Sequence, residues 1–534
     1  MKSKFLSKLL AVCTCLMLLC TVFAGCDNTS GKTSGEKEKK TLTLAVGAEL
    51  TTLYPLNMDA QNLSATRLCY EGLVNYEDGE VKPWLAKSWN FSQDGRDLTF
   101  TLRDNVTFHD GGKFNAQAVK DNFVFKSKTP NFRAWPGVVN IKEIEVVDDY
   151  TVTFHYDTPY FGYLNDFTFR EIMVCVSPKV IEEDNFQTMK GVVGTGPYIY
   201  SEVKDGEYVN FIKNENYWGD EPYYDEIIVK YIPEASARLL ALQKGEIDMI
   251  YGSTLISWDD YKQAASFDGI KGVVSPVDTK TVSLVLNAAN PILSDKSVRE
   301  AIAYGIDKQA ICDGLFHGNQ NPAPDLFPDG NFLSDVKLNT IRTYDKGKAE
   351  QLLDSAGWKM NASAGLREKD GKPLSFKLTY DSGEVMNKML ATTIKSQLRE
   401  IGIDAQTEGQ DMMTWWQEGV AGNYGLIIWA TEENTEPQIN FPKMINSSPH
   451  TPSLKAIEGS DKFLADIQET MVIDDQAKVN ELFGRILNFS NDNVLELPLY
   501  YAKDLILFNT NKIKDYTFTD TPVMFEIDNI KPVQ

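Results

Sequence analysis

Histidine and cysteine, the side chains that most often serve as metal ligands or nucleophiles, are scarce in this chain. Its 534 residues include four histidines and seven cysteines. His109 lies in a Phe-His-Asp-Gly turn, His155 alternates within a predicted strand, and His317 follows a predicted helix, where a cation suits the helix dipole. These positions favour structural roles. The sequence also lacks the G-x-S-x-G, H-E-x-x-H, paired C-x-x-C and Walker lysine motifs. We therefore predict that the chain is not an enzyme and needs no cofactor.

The composition is that of a large folded protein, with 43% hydrophobic and 24% charged residues. The length indicates two or three domains. A net charge of −22 makes nucleic acid a poor partner, because its phosphates need a basic face. Beyond the N-terminal segment lie Cys69, Cys175 and Cys312. Because their number is odd, at most one disulfide could form; we expect none and interpret them as small buried apolar groups.

The first 25 residues are typical of a secretion signal. A lysine-containing head precedes an apolar run of 15 residues from Leu9 to Phe23, which is shorter than the roughly 20 residues of a membrane span and typical of a signal-peptide core. The run ends in Phe-Ala-Gly-Cys. This resembles a bacterial lipobox, with Phe23 where leucine is usual, so we predict that Cys26 becomes the lipidated N-terminus. Plain secretion is the alternative. Residues 26–40 have no apolar residue after Cys26 and predict a flexible tether.

Strands and helices alternate along the rest of the chain. Residues 41–46 and 98–103 show the two-residue period of half-buried strands, whereas residues 298–307 and 386–401 show helical spacing. This alternation predicts an α/β fold. A glycine-rich run at residues 194–198 lacks the Lys-Ser/Thr of a phosphate-binding loop, and we interpret it as structural.

The block from Tyr70 to Asn115 carries the runs Tyr-Glu-Gly-Leu, Lys-Pro-Trp-Leu-Ala and Val-Thr-Phe-His-Asp-Gly. With the motifs at residues 194–198, 214–219 and 298–307, it resembles the signature of family 5 extracytoplasmic solute-binding proteins of ABC importers, which bind peptides, dipeptides or nickel. The resemblance implies a two-lobed periplasmic-binding-protein (Venus flytrap) fold with mixed sheets. The implied divisions are lobe I over 41–72, 193–282 and 506–534, an inserted subdomain over 73–192, and lobe II over 283–505.

The resemblance also implies what the protein would do and where. A solute would be captured between the lobes and delivered to the permease subunits of the importer and their ATPases. The protein would be an extracytoplasmic monomer, held at the bacterial membrane by the lipid on Cys26.

Several stretches resemble the nickel-binding branch most closely: Phe-Arg-Ala-Trp ending at Trp135, Met-Lys-Gly ending at Gly191, and residues 367–374. In that branch a small multicarboxylate chelator carries the metal, arginines hold its carboxylates, aromatic rings pack against it, and one histidine reaches the metal. The implied counterparts here are Arg133, Arg170, Trp135, Trp416, Trp429 and His450. Arg133 is one residue nearer the tryptophan than in the branch, Arg170 requires an alignment gap, and Trp416 replaces a tyrosine.

A peptide-binding role is the competing interpretation. In the peptide-binding branch, an acidic residue three positions after the second tryptophan pairs with the amino terminus of the peptide, and Glu432 occupies that position after Trp429. A carboxylate there would repel an anionic chelate. Ordinary structural roles also stay open: core packing for Trp135 and Trp429, surface ion pairs for the two arginines, and a solvated loop position for His450. We predict a nickel chelate as the ligand, with a peptide as the alternative.

Overall fold

The computed structural model describes most of the chain, and the part from Lys40 onward forms one compact unit. The predicted leader, Cys26 and nearly all of the tether lie outside the described residues, as do Arg133 and Arg170. The described residues are 39–50, 53–55, 63–77, 80–129, 132, 135–159, 162–168, 173–182, 191–252, 255–278, 280–327, 336–432, 441, 444, 448–473, 475–518 and 526–533.

The strands are short and distributed along the whole described chain. In chain order they are β1 (Thr41–Val46), β2 (Val74–Glu77), β3 (Glu80–Pro83), β4 (Ala86–Phe91), β5 (Asp97–Leu102), β6 (Ile141–Asp148), β7 (Thr151–Tyr156), β8 (Tyr198–Lys204), β9 (Tyr208–Lys213), β10 (Glu226–Tyr231), β11 (Met249–Tyr251), β12 (Ile270–Val274), β13 (Lys280–Leu286), β14 (Asn321–Pro322), β15 (Lys359–Asn361), β16 (Leu366–Lys369), β17 (Lys372–Pro373), β18 (Ser375–Asp381), β19 (Asp404–Gln410), β20 (Leu426–Glu432), β21 (Glu496–Ala502), β22 (Leu505–Asn509), β23 (Ile513–Tyr516) and β24 (Ile530–Pro532).

Helices separate many of these strands, and several begin at an Asp or Asn side chain that accepts a hydrogen bond from the first turn, as Asn115 does from Ala118. In chain order they are α1 (Leu63–Cys69), α2 (Ala116–Lys128), α3 (Pro136–Val139), α4 (Tyr163–Asp166), α5 (Pro178–Glu182), α6 (Ala235–Gln243), α7 (Trp258–Ala264), α8 (Lys296–Gly305), α9 (Lys308–Phe316), α10 (Lys346–Ser355), α11 (Asn387–Glu400), α12 (Met412–Ala421), α13 (His450–Leu454), α14 (Ser460–Thr470) and α15 (Gln476–Asn493), with a 3-10 turn at Ile527–Asn529.

A seven-stranded mixed sheet is assembled from distant parts of the chain, in the order β12-β22-β11-β1-β10-β9-β8. Its central strand β1 runs parallel to β10 and β11, whereas β22 runs antiparallel to β11 and β12. The N-terminal, middle and C-terminal segments therefore share one sheet.

A six-stranded mixed sheet has the order β14-β21-β13-β20-β18-β19. Every residue of β21 is buried, and β13 is buried from Thr281 to Leu286. Because both faces are covered, these strands are almost continuously apolar instead of alternating. One face contacts α8, α9 and α11 through a large core, and the other carries α12 and α13.

A four-stranded antiparallel sheet, β4-β5-β7-β6, lies within residues 86–156. Its strands show the alternation that the sequence predicts: Leu98, Phe100 and Leu102 are buried, and the residues between them are partly exposed. The resemblance implies two lobes and an inserted subdomain along the chain, and that division stays a prediction. The exact borders stay a prediction; β13, for instance, already begins at Lys280.

The chain passes between the two large sheets twice. It leaves the seven-stranded sheet after β12 and enters the six-stranded sheet at β13, then returns between β21 and β22 through Lys503 and Asp504. The backbone amide of Ser275, in the first crossing segment, donates to the carbonyl of Asp504 at 2.8 Å. The two crossings are therefore directly linked.

The glycine-rich run near residue 195, which we interpreted as structural, is a close backbone crossing. A Cβ atom on Gly194 would lie 2.0 Å from the carbonyl oxygen of Cys69, and one on Gly196 would lie 2.7 Å from the Cys69 carbonyl carbon. Only glycine fits at such an approach. Cys69, Cys175 and Cys312 are themselves fully buried, as predicted.

Glu71 is a buried carboxylate at this crossing. It accepts hydrogen bonds from Trp84 Nε1 at 3.0 Å, Thr195 Oγ1 at 2.7 Å, Tyr217 OH at 2.8 Å and Trp218 Nε1 at 2.8 Å. All four donors are uncharged. Burial raises the pKa of the Glu71 carboxyl to about 7, and the four hydrogen bonds only partly oppose that rise. The Glu71 carboxylate thus connects the block from Tyr70 to Asn115 with the motifs at residues 194–198 and 214–219.

Candidate functional site

Three tryptophans meet on the face of the six-stranded sheet that carries α12 and α13. Helix α12 begins at Asp411, whose side chain accepts from the Thr414 amide, and places Trp415 and Trp416 against Trp429 of β20. Trp415 stacks on Trp429 with ring centroids 5.3 Å apart, and Trp416 tilts against it at 5.6 Å. The three rings form one aromatic surface, which we call the tryptophan wall.

The sequence indicated Trp416 and Trp429 but not Trp415. Neighbouring residues project about 100° apart around a helix, so no spacing rule predicts that both would contact the same ring. They do so because Trp429 lies across the first turns of α12. The Nε1 atom of Trp415 is buried, and no hydrogen-bond partner for it is found among the residues that the structure describes.

His450 lies beside the tryptophan wall at the start of α13. Its ring meets that of Trp429 edge-on, with centroids 6.2 Å apart. The His450 side chain is 3% exposed, and both ring nitrogens have partners: Nε2 donates to Glu496 Oε2 at 2.9 Å, and Nδ1 lies 2.6 Å from Ser448 Oγ. The solvated loop position is therefore not what the structure shows. A metal could be bound only by a nitrogen that gives up one of these bonds.

Serine, histidine and glutamate side chains are thus connected in a row, which is the composition of some catalytic triads. Ser448, His450 and Glu496 are all at most 4% exposed. A substrate carbonyl has no access to the hydroxyl in this arrangement. The Tyr424 hydroxyl holds the adjacent backbone by donating to the Pro449 carbonyl. We interpret the row as a support that fixes the loop behind Trp429.

Trp135 lies in a different core from the tryptophan wall. It is 4% exposed and packs within the core of the four-stranded sheet, where its ring lies 6.1 Å from that of Phe132. The structure therefore brings together Trp416, Trp429 and His450 from the predicted set and places Trp135 among core residues. Arg133 and Arg170 lie outside the described residues.

Glu432 is the last residue of β20, and its register partner in β13 is Lys280. The Lys280 ammonium lies 3.6 Å from Glu384 Oε1. Asp381 lies nearby, at the end of β18, and burial raises the pKa of its carboxyl. The negative charges of Glu384 and Asp411 raise this pKa further, and the positive charge of Lys280 lowers it. The carboxyl groups of Asp381, Glu384 and Asp411 therefore lie close enough to the Lys280 ammonium to interact with it or with one another.

The other histidines have the structural contacts that their positions predicted. His109 Nε2 lies 2.9 Å from the Gly196 carbonyl, and burial lowers the pKa of its ring. His155 lies between Asp97 and Glu145, and His317 pairs with Asp259. Across the part of the chain that the structure describes, no group of three or more His, Cys, Asp or Glu side chains is arranged to hold a metal ion. Within the same residues, no helix combines the length and apolarity of a membrane span.

The family model for bacterial extracellular solute-binding proteins, family 5, matches residues 80–453. The chain belongs to this family. The nickel-binding periplasmic protein of Escherichia coli K12 is 30% identical over 510 residues, which cover 91% of this chain and 95% of that protein. The oligopeptide-binding protein AppA of Bacillus subtilis is 28% identical over 415 residues, 74% of either chain.

Solved structures of family members share the fold. NikA from Brucella suis in complex with Fe(III)-EDTA has a TM-score of 0.85 at 29% identity and covers 92% of this chain and 100% of its own. AppA from B. subtilis with a nonapeptide has a TM-score of 0.78 at 21% identity, covering 93% and 100%, which speaks for the fold alone. The predicted α/β periplasmic-binding-protein fold is confirmed. The relatives are solute-binding transport proteins, which fits the prediction that the chain is not an enzyme.

Proposed function

We propose that this family 5 protein captures a nickel–chelate complex outside the cytoplasm and delivers it to the permease and ATPase subunits of an ABC importer. The observation that carries the proposal is the 30% identity to a nickel-binding protein over 91% of the chain. The tryptophan wall adds a physical reason, because flat aromatic rings pack well against a chelator.

The two sides of the proposed cleft have different tasks. Trp416 and Trp429 form one side, already assembled. Arg133 and Arg170 would act from the other by forked hydrogen bonds to chelator carboxylates. Trp135 would have to leave its core position to pack against the ligand there. A ligand that contacts both sides closes the cleft, because only contacts made in the closed form shift the equilibrium toward it. The closed form would then dock on the permease, with the lipid on Cys26 keeping the protein at the membrane.

His450 would bind the metal only if one ring nitrogen gives up its hydrogen bond to Glu496 or Ser448. Breaking one buried hydrogen bond costs about 1–3 kcal/mol, which a nickel–imidazole bond can offset. A chelator that fills the coordination sphere of nickel would leave the ring where it is. Direct ligation therefore depends on the chelator.

A peptide is the second candidate ligand, and the engagement of both His450 nitrogens is the observation that favours it. A ring held in this way is support for the wall and not a metal ligand. Glu432 would then pair with the amino terminus of the peptide.

Calorimetry with matched variants separates the two candidates. The purified protein is titrated with nickel plus L-histidine, nickel plus a multicarboxylate, and a short-peptide library. His450→Gln is the informative variant because its amide can still donate to Glu496, whereas His450→Ala would leave a buried carboxylate without that partner. Weaker binding of the nickel complex by His450→Gln supports direct ligation. Micromolar binding of peptides without binding of nickel complexes overturns the nickel proposal.

A further inference from the structure

The turn that follows α9, from His317 to Gln320, contacts the chain where it crosses between the two large sheets. Gln320 directly precedes β14, which belongs to the six-stranded sheet, and it is 3% exposed. Its Oε1 accepts from the backbone amide of Lys503 at 2.7 Å, and its Nε2 donates to the carbonyl of the same residue at 3.2 Å. One side chain therefore occupies both backbone groups of Lys503, as a neighbouring strand would.

The next residue along the crossing, Asp504, is bonded to the half of the molecule that contains the seven-stranded sheet. The carbonyl of Asp504 accepts from Ser275, which follows β12, and the carbonyl of Leu505 accepts from the Gly252 amide at 2.9 Å. Lys503 is thus bonded to the side of the six-stranded sheet and Asp504 to the side of the seven-stranded sheet. At this crossing, a relative rotation of the two sheets would be absorbed between these points.

The same turn makes a second contact with the other half. His317 Nε2 lies 2.6 Å from Asp259 Oδ1 of α7, and α7 packs against β12 of the seven-stranded sheet. The turn itself is well fixed: the amide of Gly318 donates to the Cys312 carbonyl at 3.1 Å, and that of Asn319 donates to the Phe316 carbonyl at 2.9 Å. Far along the chain, after α14, Met471 packs against the core of the four-stranded sheet, so the two halves also touch away from the crossing.

We propose that the turn His317–Gln320 is a hinge brace, in which Gln320 confines the pivot of lobe closure to the backbone around Lys503 and Asp504 and so pre-organises the cleft for its ligand. The inference rests on the proposed function as a two-lobed binding protein. Gln320 is a positioning residue, since it acts through the backbone of Lys503. Without the brace the unliganded protein samples more interlobe angles, and ligand binding must then order them at a cost in affinity.

Hydrogen exchange measured by mass spectrometry on the unliganded protein tests whether Gln320 holds the backbone of Lys503. Gln320→Ala should raise the exchange rate of the Lys503 amide by about tenfold, the value of one hydrogen bond. Gln309→Ala is the matched control, because Gln309 lies on the exposed side of α9 and bonds only to Asp313 on the same helix in the contacts that the structure describes. Unchanged exchange at Lys503 in Gln320→Ala overturns the brace.

Small-angle scattering and binding affinity test whether the brace restricts the interlobe angles and thereby strengthens ligand binding. Gln320→Ala should broaden the distance distribution of the unliganded protein and weaken binding of nickel plus L-histidine by about three- to tenfold, mainly through faster dissociation. Asp259→Ala should act in the same direction more weakly, because its ion pair is exposed, and Asp268→Ala, another exposed aspartate near β12, should have no effect. If Gln320→Ala fails to fold, Gln320→Met, which keeps the side-chain volume without either hydrogen bond, and Asp259→Ala carry the test.

The outcomes for the brace and for the proposed function are distinct. A wild-type protein that binds none of the nickel complexes overturns the proposed ligand, while the exchange and scattering data on unliganded variants still judge the brace. Identical distance distributions for wild type and Gln320→Ala overturn the brace even if the nickel complex binds.

Discussion

Glu71 makes the stability of the protein depend on pH in a direction that is unusual for a carboxylate. Its pKa is raised from 4.5 to about 7 by burial, whereas most native carboxylates have lowered pKa values. The folded state therefore holds the proton more tightly than the unfolded state does. The stabilisation is fully present below pH 4.5 and is lost as the pH rises through about 7. Moving the pKa of this carboxyl from 4.5 to about 7 corresponds to roughly 3 kcal/mol, at 1.36 kcal/mol for each pH unit.

Glu71→Gln removes this titration. The variant keeps one carbonyl acceptor but directs an amide N–H₂ toward one pair of donors, either Trp84 with Tyr217 or Thr195 with Trp218. It should therefore also be less stable than wild type by about 2 kcal/mol at pH 5, the cost of unpaired buried donors. The free energy of the first urea transition is measured for both proteins between pH 5 and pH 8. The lead of wild type should shrink as the pH rises and be gone by about pH 8, because wild type alone loses stability, by up to roughly 3 kcal/mol.

Glu143→Gln, at an exposed position of β6, is the control and should leave the pH profile unchanged. If the profiles of wild type and Glu71→Gln run parallel from pH 5 to pH 8, the raised pKa is refuted. The four hydrogen bonds would then outweigh burial.

Four further outcomes are expected. His450→Gln should weaken binding of a nickel complex that uses the imidazole by about 1.5–3 kcal/mol, roughly ten- to a hundredfold, and leave peptide binding unchanged in calorimetry; equal affinities would exclude direct ligation. Glu432→Gln should weaken peptide binding alone, and a loss of nickel-complex binding would contradict its assigned role. Trp429→Ala should remove the fluorescence change that accompanies ligand binding and lower affinity at least tenfold, a typical size for a central aromatic anchor, whereas retained affinity would show that the tryptophan wall is not the site. Mass spectrometry of the mature N-terminus should find diacylglyceryl-modified Cys26, and an unmodified cysteine would refute the lipid anchor.

The sequence was most informative where a local period or a fixed motif determines structure. The alternation of Leu98, Phe100 and Leu102 predicted a half-buried strand, because that period acts within a few residues. The glycines at 194 and 196 were interpreted as structural, and their approach to the Cys69 carbonyl shows why only glycine fits there. The fold class followed from the order of strands and helices together with the family motifs.

The candidate site was less predictable because it depends on contacts between distant segments. Nothing local indicates that Trp415 stacks on Trp429, or that His450 is enclosed by Glu496, which is 46 residues further along the chain. A lone histidine after a proline is typical of an exposed loop, and only the fully buried strand β21 explains why its ring is covered. Similarly, the hydrogen bonds of the hinge brace between Gln320 and Lys503 join residues 183 positions apart.

Calorimetric titration of the wild-type protein with nickel plus L-histidine, set against the short-peptide library under identical conditions, tests the central claim most directly. The proposal predicts micromolar or tighter binding of the nickel complex and no measurable binding of the peptides. Micromolar binding of peptides without binding of any nickel complex would contradict it and make Glu432 the residue to follow.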